Sequence, residues 1–132
     1  MLNYDHTDKL IAQLKAISKT GIEVGVFKSE IAPRYFFNEL GTKNIPERPT
    51  LRPVFDSRMV RSKVRKLLAK GFELKGLSFL DIPGKFLKKA VKDKIKSSVP
   101  PPNKASTIAR KGHGKTLIDT GELLKSIEYK LL

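Results

Sequence analysis

The sequence predicts an α+β fold: a small antiparallel sheet packed by two long helices plus shorter helices, with two long proline-rich loops. Three observations carry that prediction. Helical periodicity dominates from Val54 to Ser98, alternation of apolar and polar residues marks Ile22–Phe27 and Ser126–Leu132, and prolines cluster in the connections. The 132 residues fit a single domain, 1–132.

Taken in order, Asp5-His6-Thr7 precede Leu10, Ile11, Leu14 and Ile17 at helical spacing, which predicts a first helix to about Lys19, ended by Thr20-Gly21. Ile22–Phe27 alternates as a half-buried strand does. Ser29 is placed to cap a short helix holding Tyr35, Phe36, Phe37 and Leu40, with Pro33 near its first turn and Gly41 as its stop. Thr42 to Pro53 carries Pro46, Pro49 and Pro53, which predicts an extended, stiff connection. From Val54 a helical stripe runs through Phe55, Met59, Val60, Val64, Leu67 and Leu68 until Gly71 to Gly76 interrupts it. The next long helix is expected from near Pro83 to Ser98, with Phe86, Leu87, Ala90, Val91 and Ile95 as its apolar stripe. Pro100-Pro101-Pro102-Asn103 opens a second long connection to about Lys115. Asp119 and Glu122 have the spacing of a capping box, which predicts a short helix there. Ser126–Leu132 reads as a terminal strand, and its length and amphipathicity match it to Ile22–Phe27 as a partner.

The chain has no cysteine, which excludes a disulfide scaffold, a thiolate zinc site and a cysteine nucleophile. Met1 to Lys19 holds no uncharged apolar run of signal-peptide length, and no stretch approaches the roughly 18 apolar residues of a membrane span. A protein that is soluble and not exported by the general secretory route is expected. Asp119-Thr120-Gly121 resembles the catalytic triplet of aspartic proteases, but Glu122-Leu123-Leu124-Lys125 follows as a turn of helix and the chain before it is mostly helical. A helix cap with a tight turn is the better reading. His6 and His113 stand alone, without a second ligand at helical spacing, and no phosphate-binding or dinucleotide glycine signature occurs. The residues point to no enzyme, no cofactor and no metal site.

Charge is the strongest compositional feature: 27 Lys and Arg against 13 Asp and Glu, a net +14. Thirteen of the basic residues and only four acids lie between Val54 and Val99, a net +9. Solvated helix faces are one reading; attraction to an anionic partner, either the DNA backbone or an acidic protein surface, is the other. Arg58, Arg61, Arg65, Lys88, Lys92 and Lys96 are the candidate residues for that contact. Aromatic residues do not interleave with the basic ones, and no helix-turn-helix or zinc-finger pattern occurs, so any DNA contact would be independent of sequence.

Two segments carry a resemblance. One is Phe36-Phe37-Asn38-Glu39-Leu40-Gly41-Thr42-Lys43-Asn44-Ile45-Pro46-Glu47-Arg48-Pro49 with Leu51-Arg52-Pro53; the other is Pro101-Pro102-Asn103, Thr107-Ile108-Ala109-Arg110-Lys111-Gly112 and Leu117-Ile118-Asp119-Thr120-Gly121-Glu122-Leu123-Leu124-Lys125-Ser126-Ile127. In order and spacing this set resembles the head–tail joining and tail-completion (neck) proteins of lambda-like long-tailed bacteriophages. Thr50 departs from the pattern, where the family often has an aromatic or large apolar residue.

The resemblance implies a non-enzymatic structural protein of the virion, at the head–tail junction and in the host cytoplasm during assembly. It implies a homo-oligomeric ring around the DNA channel that links connector to tail. The partners implied are further copies of the chain, connector or neck proteins and tail-tube or tail-terminator proteins, with the DNA backbone in the channel as a further contact. No membrane and no small-molecule substrate is expected. The two loops are expected to reach neighbouring subunits through Ile45, Pro46, Arg48, Pro49, Pro101, Pro102, Arg110 and Lys111. A sequence-independent nucleic-acid-binding protein is the rival reading, and it rests on charge alone.

Overall fold

The computed structural model describes residues 7–9, 11–12, 15, 19–75 and 80–132, with the side chains of 72–75 excepted. Its elements run β1 (Ile22–Val26), α1 (Ala32–Leu40), α2 (Leu51–Asp56), α3 (Arg58–Lys75), α4 (Asp81–Lys96), α5 (Ala105–Lys111), α6 (Glu122–Ser126) and β2 (Ile127–Leu131). This is the expected α+β architecture. Residues 7–9, 11–12 and 15 are helical, while Leu10, Leu14 and Ile17 of the first expected helix lie outside the described residues.

The two alternating segments pair with each other. β1 and β2 run antiparallel in the register Ile22↔Leu131, Val24↔Tyr129 and Val26↔Ile127, and the Leu132 amide donates to the Gly21 carbonyl at 2.9 Å to extend the ladder. Two strands alone are marginal in water, so the sheet depends on α4, which packs against both. The stripe expected on α4 is the one that turns inward: Val91 and Ile95 are fully buried and Leu87 nearly so, against Ile127, Val54 and Tyr35. Tyr129 locks the sheet to the start of this helix. Its ring lies over Gly84, where a Cβ would come within 2.5 Å of Cδ2, and its hydroxyl donates to Asp81. Lys88 Nζ meets Glu128 at 2.8 Å alongside.

Several boundaries differ from expectation, each for a local reason. The first loop ends before Pro53, because Leu51, Arg52 and Pro53 form the first turn of α2; proline is tolerated there since its missing N–H would have no helical partner. The long stripe beginning at Val54 is not one helix. It breaks at Ser57, whose extended backbone (ψ 124) ends α2. Ser57 then caps α3, with its carbonyl accepting from the Arg61 amide at 3.0 Å and its Oγ from Val60 at 3.4 Å. That break leaves Phe55 and Met59 facing solvent, Met59 at 84% exposure. Gly71 does not interrupt α3, which continues to Lys75. α4 starts at Asp81 and stops at Lys96, so Pro83 again sits in a first turn.

Ser29 is not the cap of α1. The chain turns through 29–31, with the Ala32 amide bonded to the Lys28 carbonyl at 2.9 Å, and Ile31 occupies the cap position without a side-chain bond. Gly41, at φ 75, is the expected stop, and its amide closes on Phe37 O at 2.8 Å. The second loop is not extended throughout: α5 occupies 105–111 and ends at Gly112 in the left-handed conformation. Asp119 does not cap the last helix. Its carboxylate pairs with Arg110 at 3.0 Å, Gly121 (φ 81) takes the cap position, and α6 passes directly into β2 at Ile127.

A polar relay fixes the first loop to this core. Thr50 is fully buried, its hydroxyl donates to Glu39 Oε2 at 3.3 Å, and the Tyr35 hydroxyl is bonded to it in turn. Burial raises the Tyr35 pKa, the bond to Thr50 opposes that rise, and the Glu39 charge adds to it.

Two predictions follow from these contacts. Gly84→Ala would ordinarily favour a helix, but here the methyl must displace the Tyr129 ring, so we expect a loss of about 1–3 kcal/mol in urea unfolding. The folded state holds the Tyr35 proton more tightly than the unfolded state does. Its contribution to stability is therefore complete below the ordinary tyrosine value of 10.0 and is lost as pH rises above it. Thermal midpoints should fall across that alkaline range, and less steeply in Tyr35→Phe; equal slopes would contradict this assignment.

Candidate interaction surfaces

The expected site residues fall on different surfaces, and one of them lies inside. Arg48 is 9% exposed. Its backbone amide bonds the Asn38 carbonyl at the end of α1 at 2.7 Å. Its Nε donates to Pro101 O at 2.8 Å and its Nη2 to Pro102 O at 3.3 Å. The planar fork of the guanidinium suits two adjacent carbonyls, as a lysine ammonium would not. The first proline-rich loop is thus bonded to the second, across 53 residues of chain. Arg48 itself is mainly a clamp within the chain.

Around the clamp, the other candidates take up positions the sequence could not assign. Ile45 is half-buried in a tight turn, bonded to the Thr42 hydroxyl through its amide at 3.0 Å and to the Thr42 amide through its carbonyl at 2.8 Å. Pro49 is half-buried, while Pro46, Pro101 and Pro102 are exposed. Arg110 and Lys111 close α5. Arg110 pairs with Asp119, and Lys111 Nζ donates to Lys115 O at 2.7 Å. Burial lowers the Lys111 pKa; Asp119 pulls it back up, and the nearby charges of Arg110 and Arg48 push it down again. Thr116 ties the end of this loop to Val99 O at 2.7 Å from a buried hydroxyl.

Arg48, Arg110 and Lys111 share a cleft of about 440 Å³ with Arg34 and Asn38 of α1. Arg34 belongs to no motif, and Asn38 only to the segment Phe36–Pro49. They stand four residues apart on one face of α1, and only the fold of the loops gives that face something to oppose.

The basic helices do not make one patch. On α4, Lys88, Lys92 and Lys96 line a groove of about 700 Å³ against Tyr129 and Leu131 of β2. On α3, Arg58 lines a groove with Met59 and Phe86, and Arg61 and Arg65 line another with Phe55 and Leu87. At 3.6 residues per turn, Phe86 and Leu87 lie well around α4 from the lysine row. The six candidates therefore occupy at least two faces. Part of their charge is compensated, Lys88 by Glu128 and Arg61 by Asp56 at 3.3 Å, and the neighbouring Lys89 and Lys85 pair with Asp93 at 2.9 Å and Asp81 at 3.0 Å. Lys92 and Lys96 have no ion pair among the described residues.

His113 is half-buried and accepts the Lys115 amide on Nδ1 at 3.2 Å; His6 lies outside the described residues. Among the described residues, no group of three or more His, Cys, Asp or Glu could hold a metal ion, and no helix is long and apolar enough to cross a membrane. No protein-family model, no curated protein and no solved structure matches the chain.

Removing the clamp tests its role in holding the loops together. Arg48→Met leaves two carbonyls without their donor, and we expect it to cost about 1–3 kcal/mol in urea unfolding. Arg48→Lys should recover only part of that loss. Full stability of Arg48→Met would show that the loops are held by other contacts.

Proposed function

We propose that the protein is a structural component of the phage neck, acting in head–tail joining or tail completion. In this reading it assembles as a ring around the DNA channel and links the connector to the tail through protein–protein contacts. One observation carries the proposal beyond the resemblance itself. The two segments that resemble the neck family are far apart in the chain, and Arg48 bonds them to each other through Pro101 and Pro102. Stretches that make one folded unit are the expected result if both serve the same contact with a neighbour.

Within that reading the clamped loops, with exposed Pro46, Pro101 and Pro102, supply the edge that meets an adjacent subunit. The lysine row of α4 is a separate surface, with Lys92 and Lys96 available to phosphates or to carboxylates of the connector or tail. Charge alone also supports a sequence-independent nucleic-acid-binding protein, whose affinity would come from counterion release and would collapse with salt.

Native mass spectrometry and electron microscopy of the purified protein, without DNA and at high salt, separate the two. Closed rings, or a stable complex with connector or tail-terminator proteins, are expected. A protein that stays monomeric in every such mixture, yet binds duplex DNA with a steep salt dependence, would replace the neck reading with its rival.

A further inference from the structure

We propose that the cleft beside Arg48 is a docking site for an extended segment of a partner protein that carries carboxylates along one side and aliphatic side chains along the other. This goes beyond the neck reading and does not depend on it.

The cleft measures about 440 Å³, within the range of sites that enclose part of a ligand. Its lining is of two kinds. Arg34, Arg48, Arg110 and Lys111 supply cations, and Leu117, Ile118 and Leu123 supply apolar surface. Four cations face two carboxylates, Asp119 and Glu122, which leaves the cleft at +2. Asp119 is already paired with Arg110.

Donor capacity remains. Among the described residues, the Arg34 guanidinium has no bond, Arg48 uses only Nε and Nη2, and Arg110 uses only Nη1. Arginine with free N–H groups in a partly enclosed site is suited to bidentate capture of a carboxylate. Such a charge would also relieve the mutual repulsion that Lys111 feels from Arg110 and Arg48.

One apolar residue of the cleft, Leu117, is held under strain. Leu117 has φ 61, a left-handed conformation in which a bulky side chain is rarely found. Strain of this kind persists where the surrounding structure imposes it, and it concentrates at binding sites. A nucleic-acid backbone would make no use of this apolar surface, and no aromatic ring lines the cleft on which a base could stack. An extended peptide can offer both kinds of side chain to this mixed lining, because alternate side chains point to opposite faces.

The test uses a fluorescently labelled, end-blocked peptide of alternating glutamate and leucine, titrated with the full-length protein and followed by anisotropy. Saturable binding is expected, weakened about tenfold or more when glutamine replaces glutamate and also weakened when serine replaces leucine. Arg34→Glu should weaken binding by a similar factor. Because Arg34 has no side-chain bond to a described residue to lose, its circular dichroism and thermal midpoint should stay at the wild-type values. Lys92→Glu, on α4, should leave the affinity within about twofold. The proposal is overturned by absence of saturable binding to the wild type, by equal affinity for the glutamine peptide, by a loss in Lys92→Glu equal to that in Arg34→Glu, or by displacement of the peptide with a short DNA duplex. Each of these results leaves the ring measurement above unaffected.

Discussion

The carboxylate of Glu39 holds together the part of the molecule on which its surfaces depend. From the last turn of α1, Oε2 accepts the amides of Thr50 at 2.7 Å and Leu51 at 3.2 Å, and Oε1 accepts the Arg52 amide at 2.9 Å. These are the unsatisfied donors at the start of α2, and a negative charge there also meets the positive end of the helix dipole. Thr50 occupies the cap position but makes no capping bond of its own; its hydroxyl joins Tyr35 to Glu39 instead. A large apolar residue at this position could not complete that relay.

With both ends of the first loop set by Glu39, the position of Arg48 follows. The loop leaves α1 at Gly41 and returns to it through the bond from the Arg48 amide to Asn38 O. The guanidinium is then directed across the molecule to Pro101 and Pro102. A proline-led segment has few N–H groups and relies on its carbonyls for hydrogen bonding, so a buried arginine is a fitting anchor. α5 and the turn at Leu117 complete the cleft around this anchor. The clamp and the cleft are therefore consequences of one cap made between two helices.

The large positive charge distributes unevenly over this frame. Its exposed ion pairs contribute little stability each, about 0–1 kcal/mol. They do determine which cations remain available. Lys85, Lys88 and Lys89 have carboxylate partners, two of them one turn away on α4 and the third across on β2, whereas Lys92 and Lys96 have none among the described residues. The cleft keeps its surplus because four cations line it against two carboxylates, one of them paired with Arg110. Net charge alone would treat these surfaces alike; the geometry separates a lysine row on α4 from an arginine-lined cleft that also holds Leu117, Ile118 and Leu123.

What the sequence determined by itself is the local part of the structure. The stripe Leu87, Val91 and Ile95 on α4, the strands at either end, the stop at Gly41 and the turn at Gly121 are legible because each depends on periodicity or on a residue's own backbone preference. The split at Ser57 was less legible, since the apolar period continues through Phe55 and Met59 although both face solvent. α5 is a short helix with no buried residue, and Ala105, Ile108 and Ala109 alone make too small an apolar face for periodicity to mark it. Only the tertiary structure decided that Glu39 caps a helix more than ten residues away, that Asp119 turns to Arg110 in place of its own helix, and that Arg48 points inward to Pro101 and Pro102. Those choices depend on which groups remain unsatisfied once the helices and the sheet have packed, and no local pattern in the chain records that.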